Sequence, residues 1–254
     1  MIVDQPAGGV PVSESLTALP ETQRNNGMVV VPAGDFVMGG DPLNGTERGR
    51  VVFVAEFMID RTEATNAAFA EFVLQTGYRT VAEQHADARS WRAHAQQDLA
   101  THPVVYIAWE DAIAYCEHVG KRLPSESEWE KAARGSEAWM WPWGNDWDEM
   151  RANSMERGKV GTTPVGAFPM GASPYGLVDM AGNVWEWTMS SYTESLSDDP
   201  SDREVADELF RDHRVLRGGS WRTMALGTQA MYRKPAPVDY RRDTTGFRCA
   251  KNVP

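Results

Sequence analysis

From Trp139 onward, tryptophans at 139, 141, 143, 147, 185, 187 and 221 are interleaved with glycine, proline and asparagine. That mixture interrupts both helical and strand periodicity, so this half of the chain should fold as short strands joined by long ordered loops. Such loops carry many backbone N–H and C=O groups that need partners, and tryptophan rings or a bound cation are the expected ties. The first half reads more regularly. Residues 28–32 and 36–38 are expected to be strands, and the apolar run at 51–59 a single strand covered on both faces. Thr65 is an N-cap for a helix that turns Phe69, Phe72 and Val73 inward and ends at Gly77. A second helix is expected from about Glu110 to Val119. The capping-box pattern Ser125-Glu-Ser-Glu128 opens a third that ends near Arg134. The fold class is α+β, with few helices.

The 254 residues can bury a sizeable core without staples. A net charge of −11 argues against a nucleic-acid partner, and no apolar run reaches the roughly 20 residues needed to cross a bilayer. The motifs run on without a linker, which suggests a flexible arm at 1–27 and one domain at 28–254. The first residues lack a basic and apolar leader. A chain already trimmed of one fits the periplasm, the favoured location; the cytoplasm is the alternative. Residues 194–212 hold eight acidic and two basic side chains and are expected to be a solvated insertion or a lid beside the site.

Cys116 and Cys249 are too few for a disulfide framework. Cys116 shares an apolar helical stripe with Trp109, Ala112 and Ile113, so a buried structural thiol is expected there and at Cys249, with a bridge left open. The five histidines carry no metal motif. His85 and His94 flank Trp91 in a stretch, 82–97, expected to be a solvated loop. No phosphate loop, nucleophile elbow or His-Glu zinc motif is present.

Five ordered segments carry a resemblance. They are Val31-Pro-Ala-Gly-Asp-Phe-Val-Met-Gly39, Lys121-Arg-Leu-Pro-Ser-Glu-Ser-Glu-Trp-Glu130, Gly176-Leu-Val-Asp-Met-Ala-Gly-Asn-Val-Trp-Glu-Trp187, Leu216-Arg-Gly-Gly-Ser-Trp221 and Gly246-Phe-Arg-Cys249. Together they resemble the formylglycine-generating enzyme, or sulfatase-modifying factor, family. The resemblance implies an irregular C-type-lectin-like core. It also implies structural calcium held by the side chains of Asp179 and Glu186 and the carbonyls of Gly182 and Val184, a set of hard oxygens suited to that ion. A weaker second site would use Asn153, Ser154 and, with a one-residue shift, Glu156.

Family members that oxidise a substrate cysteine bind Cu(I), a soft ion, through two thiolates after the Gly-Gly-Ser segment. By position these fall at Thr223 and Thr228, so the copper dithiolate is absent and the redox cofactor is unknown. The family's substrate cleft maps to Trp185, Ser220, Trp221, Tyr232 and Arg233, where aromatic faces and an arginine suit a small-molecule or peptide-derived substrate. Ser220, Glu186 and Asp239 are the candidates for acid–base roles. The expected function is oxidative tailoring of a peptide-derived substrate, as in the branch that matures the pyoverdine siderophore chromophore. The alternative is a non-catalytic, calcium-stabilised lectin-like module with a protein partner.

Overall fold

The computed structural model describes residues 27–40, 49–95, 97–192 and 208–253. The expected arm at 1–27, Gly27 apart, and most of the acidic segment lie outside the described residues. Among those described, nine strands form three small sheets. β1 (Met28–Val31), β4 (Phe57–Asp60) and β9 (Ala250–Asn252) are antiparallel in the order β1-β4-β9. β2 (Gly34–Met38) and β3 (Arg50–Val54) make a hairpin-like pair. β5 (Trp185–Ser191), β6 (His213–Arg217), β7 (Lys234–Pro237) and β8 (Thr245–Gly246) run β7-β6-β5-β8, with β5 and β8 parallel. The α+β, lectin-like architecture is as expected.

Four α-helices lie wholly within the described residues: α1 (Asn66–Thr76), α2 (Val81–Gln84), α3 (Trp109–His118) and α4 (Glu126–Arg134). Three begin and end where their caps dictate. Thr65 accepts a hydrogen bond from the Ala68 amide, and Gly77 closes α1 in the left-handed conformation that glycine tolerates. Both halves of the Ser125–Glu128 capping box form on α4. Thr80 and Glu83 build a further box on α2, a helix the sequence reading missed.

Three expectations are corrected. The run 51–59 is two strands in different sheets, β3 and β4, separated by Ala55 and Glu56; Val51 and Phe53 are 71% and 67% exposed on the β2–β3 pair. The stretch 82–97 is not a solvated loop, since Trp91 is buried against Phe69, with ring centroids 5.2 Å apart. Cys116 and Cys249 are not free thiols: they form a disulfide, with Cα atoms 5.7 Å apart, that ties α3 to the Gly246–Cys249 segment.

Two aromatic cores flank the central loops. One joins α1 and α3 to β5 through Phe69, Phe72, Tyr115, Trp187 and Phe247; the other packs α4 against the β1-β4-β9 sheet through Trp129, Phe57 and Ile59. Both fully buried indoles have partners, Trp187 Nε1 donating to the Ile107 carbonyl and Trp129 Nε1 to Glu186. Burial of such rings is worthwhile only when that polar edge is satisfied.

Candidate functional site

The turn leading into β5 organises the site. Asp179, Gly182 and Asn183 all take positive φ, at 60°, 79° and 58°. A Cβ at Gly182 would meet the Asn153 carbonyl at 2.3 Å, so glycine is required for this close approach. The same turn pairs with two other loops. The Asn183 amide donates to the Asn153 carbonyl, the Gly182 amide to Gly218, and the Trp221 amide to the Asn183 carbonyl. The Gly-Asn turn therefore stitches the 153 loop to the Gly-Gly-Ser segment.

Beneath it lie three buried carboxyl groups, Glu63, Asp179 and Glu186, and one buried guanidinium, Arg248. Arg248 grips both oxygens of Glu186 at 2.7 Å. Asp179 Oδ2 accepts from the Gly166 amide at 2.6 Å, while no backbone or side-chain N–H reaches Oδ1; this carboxyl instead interacts with that of Glu63. Asn183 Nδ2 donates to Glu63 Oε1 at 3.0 Å. Burial, reinforced for Glu63 by the neighbouring Asp179 charge, pushes both carboxyls above the usual range.

Of the calcium set implied by the sequence, Asp179, Gly182 and Val184 lie on this turn, whereas Glu186 is engaged by Arg248 and Trp129. Glu63 stands beside Asp179 and was missed. It precedes Asp179 by more than a hundred residues, and no local pattern marks it. Two buried carboxyls side by side, one with an oxygen that no N–H reaches, suit a hard cation. Among the described residues no three His, Cys, Asp or Glu side chains form a metal cluster, so such an ion would draw on carbonyls as well.

At the weaker site, Asn153 Oδ1 is buried without a donor, because Asn153 Nδ2 is turned to the Gly161 carbonyl and Asn183 Oδ1. The oxygens of Glu156 accept from the Ser154 hydroxyl and the Ala225 amide, each at 2.7 Å. Burial would raise its pKa, but these hydrogen bonds outweigh that and hold it below the usual range. Glu156 thus anchors the loop that follows Ser220.

In that loop both cysteine-equivalent threonines are occupied. Thr223 Oγ1 lies 3.0 Å from both the amide nitrogen and the hydroxyl of Ser220. Thr228 Oγ1 donates to the Ala225 carbonyl and accepts from Trp141 Nε1. A Cβ at Gly219 would strike Thr228, which explains the second glycine of Gly218-Gly-Ser220. Met224, the one soft ligand in the loop, is exposed.

The expected cleft residues separate into two groups. Trp185 packs into the core with Tyr232 at 6.0 Å and Lys234 over its ring. Arg233 is committed to Glu126 and the Tyr192 carbonyl, and its guanidinium covers the Tyr192 ring. Asp239 is exposed on a turn. Trp221, in contrast, lines a cleft of about 340 Å³ with Asn66, His94, Leu99, Val105, Arg222 and Asp243. Trp221 Nε1 donates to the Asp243 carbonyl; Arg222 stacks on the Trp221 ring at 4.3 Å and pairs with Asp243 at 3.1 Å. Tyr106 lies behind, its ring 4.8 Å from His94 and its φ at 59°, strained for a non-glycine residue. Of the expected substrate residues only Trp221 lines this cleft. The adjacent Trp221-Arg222 pair was the available signal.

The whole arrangement matches a known family model, the sulfatase-modifying factor enzyme 1-like domain, over residues 14–253. The chain belongs to the sulfatase-modifying factor family. It is 36% identical to the inactive C-alpha-formylglycine-generating enzyme 2 of Bos taurus, over 89% of this chain and 88% of that one. It is 34% identical to the formylglycine-generating enzyme of Thermomonospora curvata, over 88% and 93% of the two chains. In fold it is similar to PvdO from Pseudomonas aeruginosa, with a TM-score of 0.69, 24% identity, and coverage of 89% of this chain and 94% of that one. The names of these two relatives mark one as a formylglycine-generating enzyme and the other as inactive.

Proposed function

We propose that this family member is an oxidative tailoring enzyme for a peptide-derived small molecule, of the siderophore-chromophore kind, and not a formylglycine generator. The observation that carries this reading is the Ser220–Thr223 pair. The position that the resemblance assigns to the first copper cysteine holds a hydroxyl paired with Ser220, while Trp221, next to Ser220, lines a cleft. The reaction would be a dehydrogenation in which two electrons and two protons leave the substrate and dioxygen accepts them as hydrogen peroxide. The chain's own part is to bind and orient the substrate between Trp221, Arg222 and His94. The buried Cys116–Cys249 bridge supports work in an oxidising compartment such as the periplasm. Calcium at Asp179 and Glu63, with the carbonyls of the Gly182–Val184 turn, would be structural, since that ion has no accessible redox change.

A second reading, a non-catalytic calcium-stabilised module with a protein partner, is favoured by the likeness to a relative named inactive. One experiment separates them. Purified protein is analysed for calcium, copper and iron, and oxygen uptake is followed with dihydroaromatic peptide conjugates. Substrate-dependent oxygen consumption with matching peroxide supports the enzyme. Calcium alone, with no uptake across the set, leaves the binding module.

A further inference from the structure

Strand β3 presents an apolar edge. Among the described residues its one strand partner is β2, in the register Gly34↔Val54 to Met38↔Arg50, so its second edge has none. Apart from Lys131 Nζ, 3.4 Å from the Val54 carbonyl, no described group outside β2 bonds to the backbone of 50–54. Side chains alternate along a strand, and one face here carries Val51, Phe53 and, just past the strand, Ala55. All three are exposed, whereas Val54 on the other face is buried with Trp129. An unpaired edge is a template for another strand, and proteins that keep one solitary guard it with lysine, proline or a bulge. The edge Arg50-Val-Val-Phe-Val54 has no lysine or proline, and it pairs with β2 without a register shift.

The edge is complementary to itself. In Arg50-Val-Val-Phe-Val-Ala-Glu56 two opposite charges stand at equal spacing on either side of Phe53. Both are exposed, and among the described residues neither enters an ion pair. Laid antiparallel on a second copy about Phe53, the segment sets phenylalanine against phenylalanine and Val51 against the alanine at 55. Val52 then meets the valine at 54, and Arg50 meets the glutamate at 56, twice by symmetry. Opposite charges directly across a strand pair stabilise it and like charges oppose it. A parallel pairing in register would set arginine against arginine and glutamate against glutamate, so charge selects the antiparallel arrangement.

We propose that the chain forms a two-fold symmetric dimer by antiparallel pairing of β3 with β3 of a second copy, joining the two hairpin-like pairs into one sheet in the order β2-β3-β3-β2. The same patch is used on both copies, so the contact closes at two chains. A pairing of about seven residues is a small interface, and the dimer belongs to the weak, concentration-dependent class. It involves neither the Trp221 cleft nor the proposed reaction.

Sedimentation velocity of the whole chain from about 1 to 200 µM should show one chain giving way to two. Phe53→Lys, Arg50→Glu and Glu56→Arg, all at exposed positions, should each weaken association at least about tenfold. Arg50→Glu combined with Glu56→Arg should restore it, because the exchanged charges meet again across the axis. The melting temperature of each variant in dilute solution should match that of the wild type, which separates lost pairing from lost folding. Cross-linking reads the register. Phe53→Cys should give a disulfide-linked dimer under the oxidant diamide, and Leu74→Cys, at a position 86% exposed on α1, should not. The native cysteines are buried and bridged to each other, so they do not compete. A chain that stays monomeric throughout the range, or a dimer indifferent to Phe53→Lys, would overturn the proposal. So would a charge exchange that fails to restore association, or Phe53→Cys linking no faster than Leu74→Cys.

Discussion

Thr223 Oγ1 lies 3.0 Å from the Ser220 hydroxyl, at the position to which the sequence resemblance assigns the first copper thiolate. A threonine hydroxyl is a hard, neutral donor, and here it is already satisfied, so it offers Cu(I) nothing. Incubation with a sulfatase-type cysteine peptide, Cu(I) and oxygen should leave the peptide mass unchanged. Conversion to the aldehyde, seen by mass spectrometry, would refute this reading of the loop.

The Glu186–Arg248 pair predicts a large effect on stability. Both side chains are fully buried and joined at two points, and Arg248 also donates to the carbonyls of Asp60, Arg61 and Val178. Removing one partner leaves the other charge buried and uncompensated. Glu186→Gln or Arg248→Met should each cost about 3–5 kcal/mol in chemical denaturation. The double variant should cost less than the sum of the two, because it strands no charge. Strict additivity would show that the pair acts through separate contacts.

The Cys116–Cys249 bridge closes a separation of 133 residues between two fully buried positions. Cys116→Ala with Cys249→Ala should lower stability by about 2–5 kcal/mol, through the freedom restored to the unfolded chain. Unfolding of the wild-type chain should become correspondingly easier under strong reductant. A double variant as stable as the wild type would show that the bridge ties together elements already held by packing.

The parts legible in the sequence are those specified by near neighbours. Thr65 and Gly77 bound α1 because capping is decided within a few residues, and Ser125 with Glu128 did the same for α4. The motif segments gave the fold because each turn needs a particular residue, as Gly182 shows. Pairings across the chain were not legible. Arg233 looks like a cleft arginine until the fold brings Glu126 to it across 107 residues. Asp179 needed Glu63, and Cys116 needed Cys249, for the same reason. Asn66 reads simply as the first residue of a helix; only the fold brings the carbonyls of His94 and Leu99 to its amide.

Glu83 provides a test against pH. It accepts from the Thr80 amide and hydroxyl and pairs with Arg92, so it fixes the stretch that carries Trp91 and His94. Partial burial would raise its pKa, but these hydrogen bonds and the Arg92 charge outweigh that and set it below the ordinary value. A lowered folded-state pKa gives stability that is present above the unfolded value, about 4.3, and is lost as pH falls through the folded one. Glu83→Gln should therefore cost about 1 kcal/mol near neutrality, on the scale of a lost cap. The gap between variant and wild-type melting curves should close in acid, below the folded-state pKa. A gap that persists there would assign the effect to packing.

Calcium at the Asp179 turn gives the last expectation. An ion that binds only the native state stabilises it by mass action, about 2.7 kcal/mol at a hundredfold excess over its dissociation constant. For a domain of this size, chelation should lower the melting temperature by roughly 5–10 °C. The informative variant is Asp179→Gly, because glycine accepts the φ of 60° without strain and removes only the carboxyl. It should melt at one temperature with or without chelator. Glu63→Gln should weaken the dependence as well, since its carboxyl stands beside that of Asp179. Glu186→Gln separates the two roles: it should destabilise the chain through Arg248 while leaving the response to chelator in place. If Glu186→Gln abolished that response and Asp179→Gly did not, the ion would sit on the Arg248 side of the turn, and the assignment to Asp179 and Glu63 would fall.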